Sequence, residues 1–157
     1  MGTRTANFVC IRFTEETDEK LRNYCEQNGF DLTKSFSGTS QSAKNFKFHT
    51  TVFYSEVGSK NFSTRKYNIE PFKVSPLKFA LFGDSNDVPV LKLERNFRLT
   101  SLYNYYGDVF GLESDYPTFN PHVSLSYNYN QSKEFLLATK LPDFDIIVDR
   151  VEQYAKG

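Results

Sequence analysis

The sequence predicts an α+β fold of one domain, residues 1–157, with antiparallel strands and few helices. Three observations lead there. Most apolar and aromatic residues fall in runs of strand length, bounded by Gly, Pro, Asn and Asp. Only two long stretches repeat their apolar residues at helical spacing. The strand-like runs in the middle of the chain are joined by connections too short for helical crossovers, which leaves antiparallel pairing.

The first strand is Phe8-Val9-Cys10-Ile11-Arg12-Phe13, rich in β-branched and aromatic residues. A helix follows, with Thr17 as its expected cap and Lys20 at the third position. Leu21, Tyr24 and Cys25 share one face, and Gly29 stops it. Residues 33–45 hold polar and small residues around a lone apolar Phe36, the composition of a surface loop able to close over a ligand. A strand from Phe46 to Tyr54 comes next, then a polar stretch to Lys66. Strand-like runs follow at 68–74, 77–82 and 88–94. From Phe97 to Phe110, Leu99, Leu102, Tyr103, Tyr106, Val109 and Phe110 keep a 3.6-residue period, and Gly111 ends this second helix. After the Pro-punctuated segment Asp115–Pro121, a strand is expected from His122 to Tyr127. A short helix near Lys133–Thr139 and a strand near Ile146–Tyr154 complete the pattern.

Composition narrows the function. Nineteen Lys and Arg balance nineteen Asp and Glu, whereas non-specific binding to long nucleic acid depends on basic residues that displace counterions. A small ligand with one or a few phosphates fits better. Aromatic residues are 17% of the chain, more than a core of this size needs, which leaves some for a binding surface. Cys10 and Cys25 have no CxxC or Cys/His neighbours and read as reduced core thiols. No apolar run has the length of a membrane span and no signal-peptide pattern opens the chain, so a cytoplasmic protein without membrane or protein partner is expected.

The two histidines carry the chemistry. His49-Thr50-Thr51-Val52-Phe53-Tyr54 and His122-Val123-Ser124-Leu125-Ser126-Tyr127 share the pattern His-x-[Ser/Thr]-aliphatic-x-Tyr. Side chains two residues apart on a strand project from the same face. His49 and Thr51 therefore point one way, as do His122 and Ser124. Thr50, Val52 and Tyr54, with Val123, Leu125 and Tyr127, turn to the opposite face. Two such strands side by side would set two imidazoles and two hydroxyls around one phosphate. Imidazoles with pKa near 6.5 suit paired acid and base work, with a bell-shaped rate profile around neutrality. The hydroxyls of Thr51 and Ser124 can donate to phosphate oxygens as charge develops. Metal-site spacing such as HExxH is absent, so no metal and no cofactor is expected. Asp84, Asp87 and Asp115 fall in turn-like stretches and read as turn residues.

These motifs resemble the 2H phosphoesterase superfamily, named for two His-x-[Ser/Thr] motifs. Within it, Phe48–Ser55 and Asp115–Tyr127 are most similar to the cyclic-oligonucleotide phosphodiesterases with which bacteriophages counter CBASS immunity. The resemblance covers nearly the whole chain. It implies a pseudo-symmetric bilobal fold, with antiparallel sheets lining a central groove and helices outside. It also implies metal-independent hydrolysis of cyclic di- and trinucleotide messengers to linear products, in the host bacterial cytoplasm. One histidine would deprotonate a ribose 2′-hydroxyl, the other would protonate the leaving 5′-oxygen, and water would open the resulting 2′,3′-cyclic phosphate. The superfamily's first motif commonly has an aliphatic residue where Thr50 stands. By the same resemblance Glu152, in the ending Asp149–Tyr154, is a candidate ligand contact; its alternative is a solvated charge on an edge strand. Phe119 is either a base-stacking residue or a core residue. Two alternatives share the pattern: a 2H enzyme acting on RNA ends, and a protein that sequesters cyclic nucleotides without cutting them.

Overall fold

Along Asn7–Phe13 (β1) the strand period turns Val9, Ile11 and Phe13 into the core, and Phe8, Cys10 and Arg12 to the other face, where Cys10 alone is fully buried. Beyond it come α1 (Glu15–Gln27), β2 (His49–Ser55), β3 (Arg65–Val74), β4 (Pro76–Phe82) and β5 (Val88–Leu93). Then follow α2 (Phe97–Phe110), β6 (His122–Ser124), α3 (Lys133–Ala138) and β7 (Ile146–Tyr154). The structure, a computed structural model, describes residues 6–34, 39–56, 62–110, 119–127 and 129–155. Phe36, Gly111 and the stretch from Asp115 to Thr118, all assigned roles from sequence, lie outside the described residues.

The strands form two antiparallel sheets, in the orders β2-β1-β7-β3 and β4-β5-β6. The expected mixed α+β pattern with antiparallel pairing is thus present. The partner of β3 differs from the simplest reading of 68–74 and 77–82 as neighbours. Only Ser75 separates β3 from β4, too little chain for even a two-residue hairpin loop. The chain instead runs from one sheet into the other at this residue, and β3 pairs with β7.

Local corrections have local causes. Thr14, not Thr17, caps α1: its Oγ1 accepts the Thr17 backbone N–H at 3.1 Å. Glu15, Glu16 and Asp18 then fall in the first turn, where carboxylates meet the positive end of the helix. Thr17 is buried, and its hydroxyl accepts from Ile147 N at 3.2 Å. The strand expected from Phe46 begins only at His49, because a 3-10 turn at Ala43–Asn45 delivers Phe46 and Phe48 into the core as buried anchors. β3 begins at Arg65, inside the stretch read as polar loop, since its backbone finds partners on β7 from Gln153 onward. The helix over Phe97–Phe110 has the bounds its periodicity predicts.

The buried apolar side chains form one contiguous cluster, running from Phe13, Leu21 and Cys25 through Phe48, Leu91 and Leu99 to Leu125, Ile146 and Val148. Much of the aromatic excess is spent here. Phe46 and Phe48 rings lie 4.9 Å apart, Phe30 and Tyr129 5.5 Å, and Tyr106 and Phe110 5.7 Å, separations at which ring pairs attract. Both thiols are buried. Cys25 is in the core, while Cys10 lies beneath the opposite face of its sheet. Among the described residues, no helix is long and apolar enough to cross a membrane.

Candidate active site

Each histidine opens a strand at the edge of its own sheet: His49 on β2, His122 on β6. These two edge strands approach each other across the seam, with Cα atoms within 8 Å. The charge of His122 is among the causes that lower the His49 pKa, so the imidazoles are near enough to sense each other.

Thr51 lies on the open face of β2 with His49, partly exposed, while Thr50 and Val52 are buried. The alternation then breaks. Val9 pairs with Phe53 and Cys10 with Thr51, so Val52 is the extra residue of a bulge. Beyond it Phe53 enters the core, its ring 5.3 Å from Tyr103 of α2, and Tyr54 is the partly exposed residue. The expected inward turn of Tyr54 fails for this reason. On β6, His122 and Ser124 share the open face and Val123 is fully buried. Ladder pairing stops at Ser124. Leu125 N still donates to Pro89 O at 2.9 Å, and Ser126 Oγ reaches Asp31 O at 2.8 Å, drawing the chain away from β5. Freed from the alternation, Tyr127 turns back to the open face, where Ser124 hydrogen-bonds its phenol. Burial raises the Tyr127 pKa, with the Ser124 hydrogen bond and the charge of Arg12 acting the other way.

The imidazoles are held differently. Burial, together with the charges of Arg12 and His122, pushes the His49 pKa down to about 4, against a smaller opposing pull from Glu152. Phe8 packs edge-on against the His49 ring at 5.9 Å. His122 is also lowered, by burial and by Lys92, against a hydrogen bond to Asn120 that favours its charged form. That bond fixes the tautomer. A carbonyl can only accept, so Nδ1–H donates to Asn120 O at 2.8 Å and Nε2 is left for a ligand. Phe82 meets the His122 ring edge-on at 4.8 Å. With both values lowered, both imidazoles are neutral near pH 7 in the ligand-free protein.

Glu152 is buried on β7, a strand flanked on both sides by β1 and β3, which removes the reading of a solvated edge charge. Its Oε1 accepts from Arg12 Nε at 2.9 Å and Tyr154 Oη at 2.6 Å; Lys66 Nζ lies 4.0 Å from Oε2. Burial alone would raise this carboxyl, but the Tyr154 and Arg12 hydrogen bonds hold it below the usual value. Arg12 is the cross-strand partner of His49. Glu152 therefore sits on the His49 face, one strand beyond β1. Phe119 is partly buried and stacks on Tyr103 at 4.9 Å with ring planes 10° apart. Asp84 lies in the turn between β4 and β5, and Asp87 O accepts from Tyr129 N at 3.0 Å.

Sequence reasoning passed over Arg12, Tyr127, Phe82 and Lys92. A signal existed for two of them, since Arg12 and Lys92 are each the one charged residue of a largely apolar strand. Among the described residues, no three His, Cys, Asp or Glu side chains are grouped to hold a metal ion. Residues 5–154 match the family model of the anti-CBASS protein Acb1. With that match running from the strand before the first histidine to the end of the strand bearing Glu152, the chain belongs to the anti-CBASS protein Acb1 family, whose members act against CBASS immunity.

Proposed function

We propose that this protein is a metal-independent phosphodiesterase of the 2H type, with its two sheets as the two lobes, that linearises cyclic di- and trinucleotide messengers of CBASS defence. The observation that carries the reading is the meeting of two His-x-[Ser/Thr] pairs, from the edges of two different sheets, across one seam.

The chemistry follows from how each imidazole is held. His49, with a pKa near 4, is neutral over most of the pH range and suits the first base, taking the proton of a ribose 2′-hydroxyl. The oxygen attacks its own 3′-phosphorus in line, and the bond to the 5′-oxygen of the next nucleotide breaks. His122, whose Nδ1 is occupied by Asn120, presents Nε2 to protonate that leaving oxygen. An arriving phosphodiester anion favours the imidazolium form that this step needs. Thr51 and Ser124 donate to the non-bridging oxygens as charge builds there. Water, activated by the imidazole that has given up its proton, then opens the 2′,3′-cyclic phosphate. Glu152 contacts the nucleotide from the His49 side, oriented by Arg12 and Tyr154.

The test is chromatography of 3′,3′-cyclic GMP-AMP incubated in excess EDTA with wild type, His49→Ala and His122→Ala. Linearisation by wild type alone supports the reading. An intact ring in every sample overturns it.

A further inference from the structure

Resting on that functional reading, we propose that Lys92 and Lys78 form an anion subsite that takes a second phosphate of the ring while the histidines hold the scissile one. Three residues from three strands lie in a single row: Lys78 of β4 pairs with Lys92 of β5, and Lys92 pairs with His122 of β6. Directly opposed residues of antiparallel strands project from the same face, so both lysines share the face of His122. The next row, Ala80, Val90 and Ser124, carries the second motif's hydroxyl.

Two like charges placed directly opposite each other destabilise a sheet. The other sheet shows how such a cation is otherwise compensated, because Arg12, opposite His49, is paired to buried Glu152 at 2.9 Å. Among the described residues, neither Lys78 nor Lys92 has a carboxylate within 4 Å. Lys92 has the Phe82 ring instead, at 5.8 Å, the same ring that packs on His122. Among the described residues the row is thus a cationic track without a paired carboxylate that begins at a catalytic imidazole. Strands are spaced about 4.8 Å apart, so the track runs about 10 Å from the His122 backbone to that of Lys78. A ligand with a single phosphate needs only the histidine end. A cyclic di- or trinucleotide carries further phosphates, and the track meets one of them.

The experiment measures calorimetric affinity of 3′,3′-cyclic GMP-AMP for His49→Ala protein, which holds the ligand without cutting it. The same measurement is made with Lys78→Gln, Lys78→Arg or Lys92→Gln added, at low and high salt, and wild-type turnover is followed in parallel. Each Lys→Gln change is expected to weaken binding about three- to tenfold at low salt, with the loss fading at high salt and Lys78→Arg retaining affinity. Ligand-free Lys78→Gln should melt no lower than its parent, since the opposed charges are relieved. Unchanged affinity in both Lys→Gln variants, beside normal wild-type turnover, overturns the subsite and leaves the phosphodiesterase standing. Weakened binding without wild-type turnover keeps the subsite and removes the enzyme. No binding beside normal wild-type turnover overturns the subsite alone, and no binding together with no wild-type turnover removes both.

Discussion

His49 and Asp18 titrate in the same pH window with opposite effects on stability, and separating them tests how the site is built. His49 has a folded pKa near 4 against 6.5 for the free group. Above pH 6.5 neither folded nor unfolded imidazole is charged, so the group contributes no pH dependence. Below it the unfolded chain binds a proton that the folded protein refuses, and stability falls by about 1.4 kcal/mol per pH unit until pH 4. Between pH 7 and 5 the loss is about 2 kcal/mol. Asp18, buried in the first turn of α1, runs the other way. Burial raises its pKa from 3.8 to about 6, although Arg22, Lys47, the Phe48 amide and Arg150 all oppose the shift. Its charge costs stability at neutral pH, and protonation in the folded state recovers about 1 kcal/mol between pH 7 and 5. The second offsets about half of the first in wild type, so the readout is a difference. Urea unfolding of wild type, His49→Asn and Asp18→Asn at pH 7, 6 and 5 supplies it. Wild type should lose about 2 kcal/mol relative to His49→Asn over that range and gain about 1 kcal/mol relative to Asp18→Asn. A wild-type minus His49→Asn difference that stays flat would refute the argument that burial and neighbouring cations keep this imidazole neutral.

The same values set the profile of the proposed reaction. kcat/KM should rise with a limb near pH 4 for His49 and fall with a limb below 6.5 for His122; a plateau from pH 5 to 9 would count against the pair. If attack comes from a 2′-hydroxyl as proposed, the ring built from 2′-deoxyribose should remain intact under conditions that linearise cyclic GMP-AMP completely, and its rapid cleavage would replace internal attack by direct hydrolysis. Thr50 Oγ1 is fully buried and has no hydrogen-bond partner among the described residues. Thr50→Val, which keeps the shape and removes the orphaned hydroxyl, should raise stability by about 1 kcal/mol in urea unfolding with turnover unchanged; a loss of stability would point to a partner for that hydroxyl.

The second helix and the two motifs were legible because their signals are local: a 3.6-residue apolar repeat over Phe97–Phe110, and a histidine two residues before a hydroxyl in a strand-like run. Tertiary decisions were less so. Nothing in Thr51-Val52-Phe53 marks the bulge that reverses Phe53 and Tyr54, because it arises from how β2 meets β1. The early end of β6, which frees Tyr127 to meet Ser124, depends on Ser126 finding a carbonyl 95 positions away, at Asp31. For Glu152 the sequence left a ligand contact and a solvated edge charge both open, because the chain order of strands does not tell their spatial order; β7 lies inside its sheet. The row of Lys78, Lys92 and His122 likewise exists only once three strands are in register.

That interior place of β7 has a kinetic consequence. β7 follows all the other strands in the chain, yet it is the strand that both β1 and β3 need, with Phe8 against Tyr154 and Val74 against Ile146. Until it emerges from the ribosome, β1 keeps one bare edge and β3 has no partner in that sheet, the condition in which strands recruit foreign partners. The three-stranded sheet, by contrast, draws all its strands from residues 76–124 and is free to assemble earlier. Closing the larger sheet joins positions nearly 150 residues apart, which costs loop entropy before any contact repays it. The nascent chain can therefore carry a finished His122 edge while the sheet behind His49 is still open, and competence arrives in one late step rather than by degrees.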